Sequence, residues 1–191
     1  MRKLKVHEFM TLDGVLQAPG GKEEDTEGGF QHGGWTIPYW HDDIGKAFFD
    51  FMQGVDTFLL GRKTYVTHAQ AFEPMPKGDV FGDLMNAPKK YVVSRTLEKP
   101  IWRDTTIIRD NVTERVRALK AEKGGDIALD GSSQLLHELL RNDLVDEMHL
   151  SVYPLALGSG KKVWPEGHRS NLKLTGATAY PSGVVGLHYE R

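Results

Sequence analysis

Asp126-Ile127-Ala128-Leu129-Asp130-Gly131-Ser132-Ser133 opens a stretch, running on to Trp164, in which the chain's architecture is most plainly written. An apolar run, Ile127 to Leu129, breaks at Asp130-Gly131-Ser132-Ser133 into a helical pattern from Gln134 to Arg141. An apolar run then returns from His149 to Leu157. That order predicts a strand, a small-residue turn, a helix and a second strand. A tight turn at a helix N-terminus leaves backbone N–H groups without intrahelical partners and carries the positive end of the helix dipole, a combination suited to anions and above all to phosphate. Gly131 lets the backbone turn and approach a ligand with no Cβ in the way. Ser132 or Ser133 would equally serve as a plain helix cap.

Two further strand ends carry the same pattern. Thr57-Phe58-Leu59-Leu60 reads as a short buried strand that stops at Gly61-Arg62-Lys63-Thr64-Tyr65, with a helical turn from Val66 to Ala71. Lys90-Tyr91-Val92-Val93 ends at Ser94-Arg95-Thr96. Ligands of open α/β sheets collect at the carboxyl ends of strands, so three strands ending in phosphate-friendly residues point to one shared edge. Taken singly, Arg62 and Arg95 also read as solvated surface charge.

Outward from these segments, Lys5 to Leu12 alternates as a strand and leads into a polar, glycine-rich loop from Gln17 to Pro38, a length usually tied to function or disorder. Ile44, Ala47, Phe48, Phe51, Met52 and Val55 recur at helical spacing, which predicts a helix beginning near Asp42 or Asp43 with its phenylalanines in the core. A Pro- and Gly-rich connection follows from Phe72 to Pro88. Then come a short strand at Thr106 to Ile108 and a helix from Val112 to Lys123 that Asn111 caps and Gly124-Gly125 ends. Strands alternating with helices imply parallel pairing. Leu172 to Tyr180 and Val184 to Tyr189, flanking Pro181-Ser182-Gly183, read instead as an antiparallel hairpin. The expected fold is α/β in three layers: a mixed, mostly parallel sheet, helices on both faces and a C-terminal antiparallel hairpin. We expect it to form one domain over residues 1–191, without an internal repeat.

Composition removes several function classes. A formal net charge of −2 makes no electrostatic case for nucleic acid. With no cysteine, thiolate catalysis and Cys-based zinc sites cannot occur. The histidines form no His-x-x-x-His pair, no Gly-x-Ser-x-Gly elbow exists, and Gly158-Ser159-Gly160-Lys161 lacks the rest of a P-loop and reads as a turn. No window approaches a membrane span, and the basic N-terminus is interrupted too early by His7 and Glu8 for a signal peptide. The expectation is a cytoplasmic protein that binds a small molecule and no metal.

Gly61-Arg62-Lys63-Thr64-Tyr65, Tyr91-Val92-Val93-Ser94-Arg95, Gly131-Ser132-Ser133, Leu144-Val145-Asp146-Glu147 and Pro154-Leu155-Ala156-Leu157-Gly158-Ser159-Gly160 together resemble the dihydrofolate reductase superfamily. Within it, the chain is most similar to stand-alone relatives of the reductase domain of bacterial riboflavin-pathway deaminase-reductases. Phe9-Met10-Thr11-Leu12-Asp13-Gly14 resembles that family's first strand, and the similarity runs through nearly the whole chain in order. It implies a bound NADPH, whose nicotinamide carries the hydride while the protein supplies placement and electrostatics. By the same resemblance Gly131, Ser132, Ser133, Gln134 and Leu135 hold the pyrophosphate, helped by Gly61, Arg62 and Thr64. Arg62, Ser94 and Arg95 face the adenosine 2′-phosphate, and guanidinium groups match a phosphate dianion well, which favours NADPH over NADH. Asp130 stands where many relatives have another glycine.

On the substrate side, Trp35-Thr36-Ile37-Pro38 matches the segment that precedes the folate-binding acid of dihydrofolate reductases. The acid's own position falls on Trp40, which argues against dihydrofolate as substrate. Asp43, or Asp42, could supply a carboxylate there or simply cap the helix. Asp13 is placed by the resemblance beside the nicotinamide, and is equally a turn residue ahead of Gly14. Ser151 corresponds to a pocket-facing hydroxyl. Trp35, Tyr39, Trp40 and Phe30 could stack on a flat heterocycle or pin the loop. The expected activity is NADPH-dependent reduction of a small heterocycle, a 5-amino-6-(ribosylamino)uracil phosphate-type or pterin-like compound, by a homodimer. The alternative is a nucleotide-binding or regulatory protein that keeps the cleft without turnover.

Overall fold

Continuous apolar runs become strands buried on both faces, as sheets covered by helices require. The computed structural model describes residues 1–191. In chain order its elements are β1 (Leu4–Thr11), α1 (Asp42–Phe51), β2 (Val55–Gly61), α2 (Arg62–Phe72), α3 (Val80–Asn86), β3 (Lys89–Val93) and β4 (Thr105–Ile108). These are followed by α4 (Val112–Ala121), β5 (Asp126–Asp130), α5 (Ser133–Arg141), β6 (Glu147–Tyr153), β7 (Lys173–Ala179) and β8 (Val185–Glu190). The strands form one mixed sheet in the order β4-β3-β2-β5-β1-β6-β8-β7. Two compact units divide the chain, Met1–Val6 with Met52–Asp146 and His7–Phe51 with Glu147–Arg191.

In the first unit β2 pairs in parallel with β3 and with β5, and β3 pairs in parallel with β4. Their carboxyl ends, Gly61, Val93, Ile108 and Asp130, therefore lie along one edge. Phe58, Leu59, Leu60, Ile127, Ala128 and Leu129 are wholly buried. The connection from Phe72 to Pro88, expected as an irregular loop, contains the helix α3. It is a short helix that Asp79 caps, its carboxylate accepting from the Gly82 N–H at 2.7 Å. Seven residues behind a Pro-Lys-Gly turn are too few to show a helical period. Asn111 does stand at the start of α4, but in the left-handed region at φ 49° and with no side-chain cap bond, and α4 ends at Ala121 rather than Lys123.

In the second unit β6 pairs antiparallel with β8, and β8 with β7, as the tail pattern predicts. β6 ends at Tyr153 because Pro154 has no N–H for a ladder. The Gln17–Pro38 loop is tied down from within. The Gln17 amide donates to the carbonyls of Asp25 and Glu27 at 3.0 Å, and its carbonyl oxygen Oε1 accepts from the Lys161 N–H. Asp42 and Asp43 lie inside the first turn of α1 rather than at its cap, where their charge suits the dipole. The Asp43 N–H donates to His41 Nδ1 at 3.2 Å.

Candidate functional site

At the end of β5, Gly131 and Ser132 both adopt left-handed backbone, at φ 66° and 73°. The Ser132 hydroxyl forms no cap bond to its own helix. It accepts from the Gly61 N–H at 2.8 Å and donates to Thr64 Oγ1 at 2.9 Å, joining the β5 turn to the start of α2. A Cβ on Gly131 would sit 3.2 Å from the Thr64 side chain, so the close approach requires glycine. The first intrahelical bond of α5 runs from Leu136 N–H to Ser132 C=O, so the N–H groups of Ser133, Gln134 and Leu135 face out of the helix's positive end. Ser133 and Leu135 are buried and Gln134 is exposed, so the first two offer backbone rather than side-chain contact.

One strand over, the Ser94 hydroxyl accepts from the N–H groups of Thr96 and Leu97 at 3.2 and 2.9 Å and so shapes the turn that carries Arg95. Arg62 and Arg95 are exposed. A cavity of about 420 Å³ opens here, bordered by Ser94, Arg95, Arg109, Asn111, Arg117 and Glu138. Sequence reading did not single out Arg109 or Arg117. Arg109 directly follows β4, and the strand-end rule applied to that fourth strand would have found it. Its guanidinium reaches the carbonyls of Arg95 and Glu98 at 3.4 Å.

The second unit holds the residues expected on the substrate side. Asp13 Oδ1 accepts from the Thr11 hydroxyl and from the Leu157 N–H at 3.2 Å, while Oδ2 accepts from the Gly158 N–H at 2.8 Å and lies 3.1 Å from Lys162 Nζ. The Thr11 bond, with help from the two N–H groups and Lys162, outweighs partial burial and holds the carboxyl well below the usual carboxylate range. An ionised carboxylate only accepts hydrogen bonds, so Asp13 ties the end of β1 to the 157–162 segment and carries no proton to donate. Trp35 is buried, with Nε1 donating to the Gln17 carbonyl at 2.8 Å and its ring edge-on to Tyr153. This is the loop-pinning arrangement. Trp40 is 55% exposed and its ring lies against Gly45. Asp43 is exposed and within 3.2 Å of His41 Nδ1. Ser151 is buried on β6. Two residues on, and so on the same face, the Tyr153 hydroxyl is buried without a hydrogen-bond partner among the rings of Phe9, Trp35 and Tyr39. Burial pushes this phenol upward and keeps it a neutral donor.

A mixed sheet of this order, with helices on both faces, is the dihydrofolate-reductase-like fold. The chain matches the RibD C-terminal domain family over residues 2–186 and belongs to it. It is 33% identical to the uncharacterized Bacillus subtilis protein YyaP, over 98% of this chain and 94% of that one. To the uncharacterized YwjB of the same organism it is 28% identical, over 100% and 98%. Among solved structures, a candidate riboflavin biosynthesis protein from Shewanella sp. PV-4 superposes with a TM-score of 0.74 at 18% identity, covering 99% of this chain and 98% of that one. A pyrimidine reductase-like protein from Corynebacterium diphtheriae gives 0.67 at 13%, covering 99% and 91%. Dihydrofolate reductase from Enterococcus faecalis, solved with NADP(H), gives 0.63 at 16%, covering 99% and 96%. At these identities the likeness is one of fold.

Proposed function

We propose that the protein is an NADPH-dependent reductase that transfers a hydride to a small heterocycle, a 5-amino-6-(ribosylamino)uracil phosphate-type or pterin-like compound. The observation that carries this reading is the convergence of Gly61, Arg95 and Gly131 at the carboxyl ends of three adjacent parallel strands, with Ser132 and Thr64 bonded across two of them. Family membership supports it, as do a pyrimidine reductase-like protein and an NADP(H)-bound dihydrofolate reductase of like fold. In this reading Gly131 to Leu135, with Gly61 and Thr64, take the pyrophosphate, and Arg62, Ser94 and Arg95 take the 2′-phosphate, joined by Arg109. Ser151, Tyr153, Trp40 and Asp43 are the substrate residues of the second unit. Trp35 and Asp13 act as positioning residues, and the proton comes from solvent or substrate.

The reading is tested by Arg95→Ala, which removes a charge-assisted contact to the 2′-phosphate and is expected to weaken NADPH binding about ten-fold while leaving NADH binding unchanged. Equal weakening of both cofactors, or of neither, would overturn the assignment. A second reading, a nucleotide-binding regulator without turnover, draws on the Asp13 geometry, which leaves no evident acid. NADPH binding without oxidation across a panel of pterins and aminouracils would favour it. No helix is long and apolar enough to cross a membrane, and a cytoplasmic setting is part of the proposal.

A further inference from the structure

The carboxylate of Asp130 stands one residue from the proposed pyrophosphate seat, where an unopposed negative charge would repel the ligand. It is not unopposed. His68 Nε2 donates to Asp130 Oδ2 at 2.8 Å, and both side chains are largely buried, 17% and 18% exposed. His68 lies four residues after Thr64 on α2, so the two occupy one helix face a turn apart. That face grips the end of β5 at two points: Thr64 meets Ser132 and Gly131, and His68 meets Asp130. The imidazole is itself wedged between the rings of Phe72 and Trp102, at 5.4 and 6.4 Å between centroids, which fixes its orientation.

We propose that His68 is a positioning residue for the cofactor: by binding the Asp130 carboxylate it draws that charge toward α2 and out of the anion seat. This rests on the NADPH reading above and adds to it a pair of residues whose effects have opposite sign. Removing His68 alone takes away the donor that holds the carboxylate toward α2. Removing the imidazole and the carboxylate charge together restores the seat.

Calorimetric titration of the wild type, His68→Ala, Asp130→Asn and the double variant with NADPH, and with adenosine 2′-monophosphate as a probe lacking the pyrophosphate, tests this. His68→Ala is expected to weaken NADPH about ten-fold, Asp130→Asn not to weaken it, and the double variant to recover to within about three-fold of wild type. The nucleoside monophosphate should bind all four alike. His68→Gln, which keeps an N–H donor, should lose less than His68→Ala and replaces it if that variant does not fold. NADPH binding unchanged in His68→Ala, no recovery in the double variant, or parallel losses for both ligands would overturn the proposal while leaving the reductase reading standing. A wild type that binds no NADPH would overturn both.

Discussion

Asp13 accepts from one hydroxyl, two backbone N–H groups and an ammonium, the last three lying 144, 145 and 149 residues away along the chain. Asp13→Asn discards the ion pair and sets an amide N–H₂ against donors. We expect it to cost about 1–3 kcal/mol in urea unfolding. Because the folded-state carboxyl lies below its ordinary value of 3.8, its stabilisation is present above that pH and is lost as pH falls further. The variant should accordingly show a shallower acid limb, and identical acid limbs would contradict the clamp. The Asp-Gly turn was legible in the sequence, because turn chemistry is local. The clamp was not, since its partners are set by tertiary packing. Asp130 was likewise legible as a departure from the family's glycine, whereas its partner His68 was one unremarked histidine among eight.

The strand ends were legible at the scale of elements because apolar runs and Gly-Ser breaks are contiguous signals. Arg109 was passed over because the short strand at Thr106 to Ile108 was read without weighing the cation at its end, and α3 because its approach is rich in Pro and Gly. The helix α3 closes on a buried network with β3. Lys90 Nζ donates to the Asn86 carbonyl at 2.5 Å and stands 4.6 Å over the Trp102 ring, and Trp102 Nε1 donates to Asn86 Oδ1 at 2.6 Å. Burial pulls the ammonium down from 10.5 to about 8, against the opposing pull of Asp104 and Glu73. Between those two values the unfolded chain binds more protons than the folded one, so this group makes stability rise with pH across that window. Urea unfolding of wild type and Lys90→Met between pH 8 and 10.5 should show the rise in the first and its loss in the second. Parallel curves would contradict the assignment.

For the molecule as a whole, the order of motifs carried more than any one of them: loosely specific turns recurring in sequence pointed to the dihydrofolate-reductase-like fold that the chain adopts. What order could not supply is the substrate, because Trp35, Trp40, Asp43 and Ser151 each suit either packing or recognition until their neighbours are known. Assembly is also a whole-molecule property. β7 is an edge strand with Leu174 half exposed, and we propose a homodimer, for which light scattering should return twice the 21.4 kDa chain mass. A monomeric mass would end that proposal. Cofactor use is decided by calorimetric titration of the purified protein with NADPH and then NADH at modest salt. Saturable NADPH binding, with NADH at least about ten-fold weaker for want of the 2′-phosphate, is the result expected. Binding of neither nucleotide would contradict the account and leave a reductase fold without the reductase.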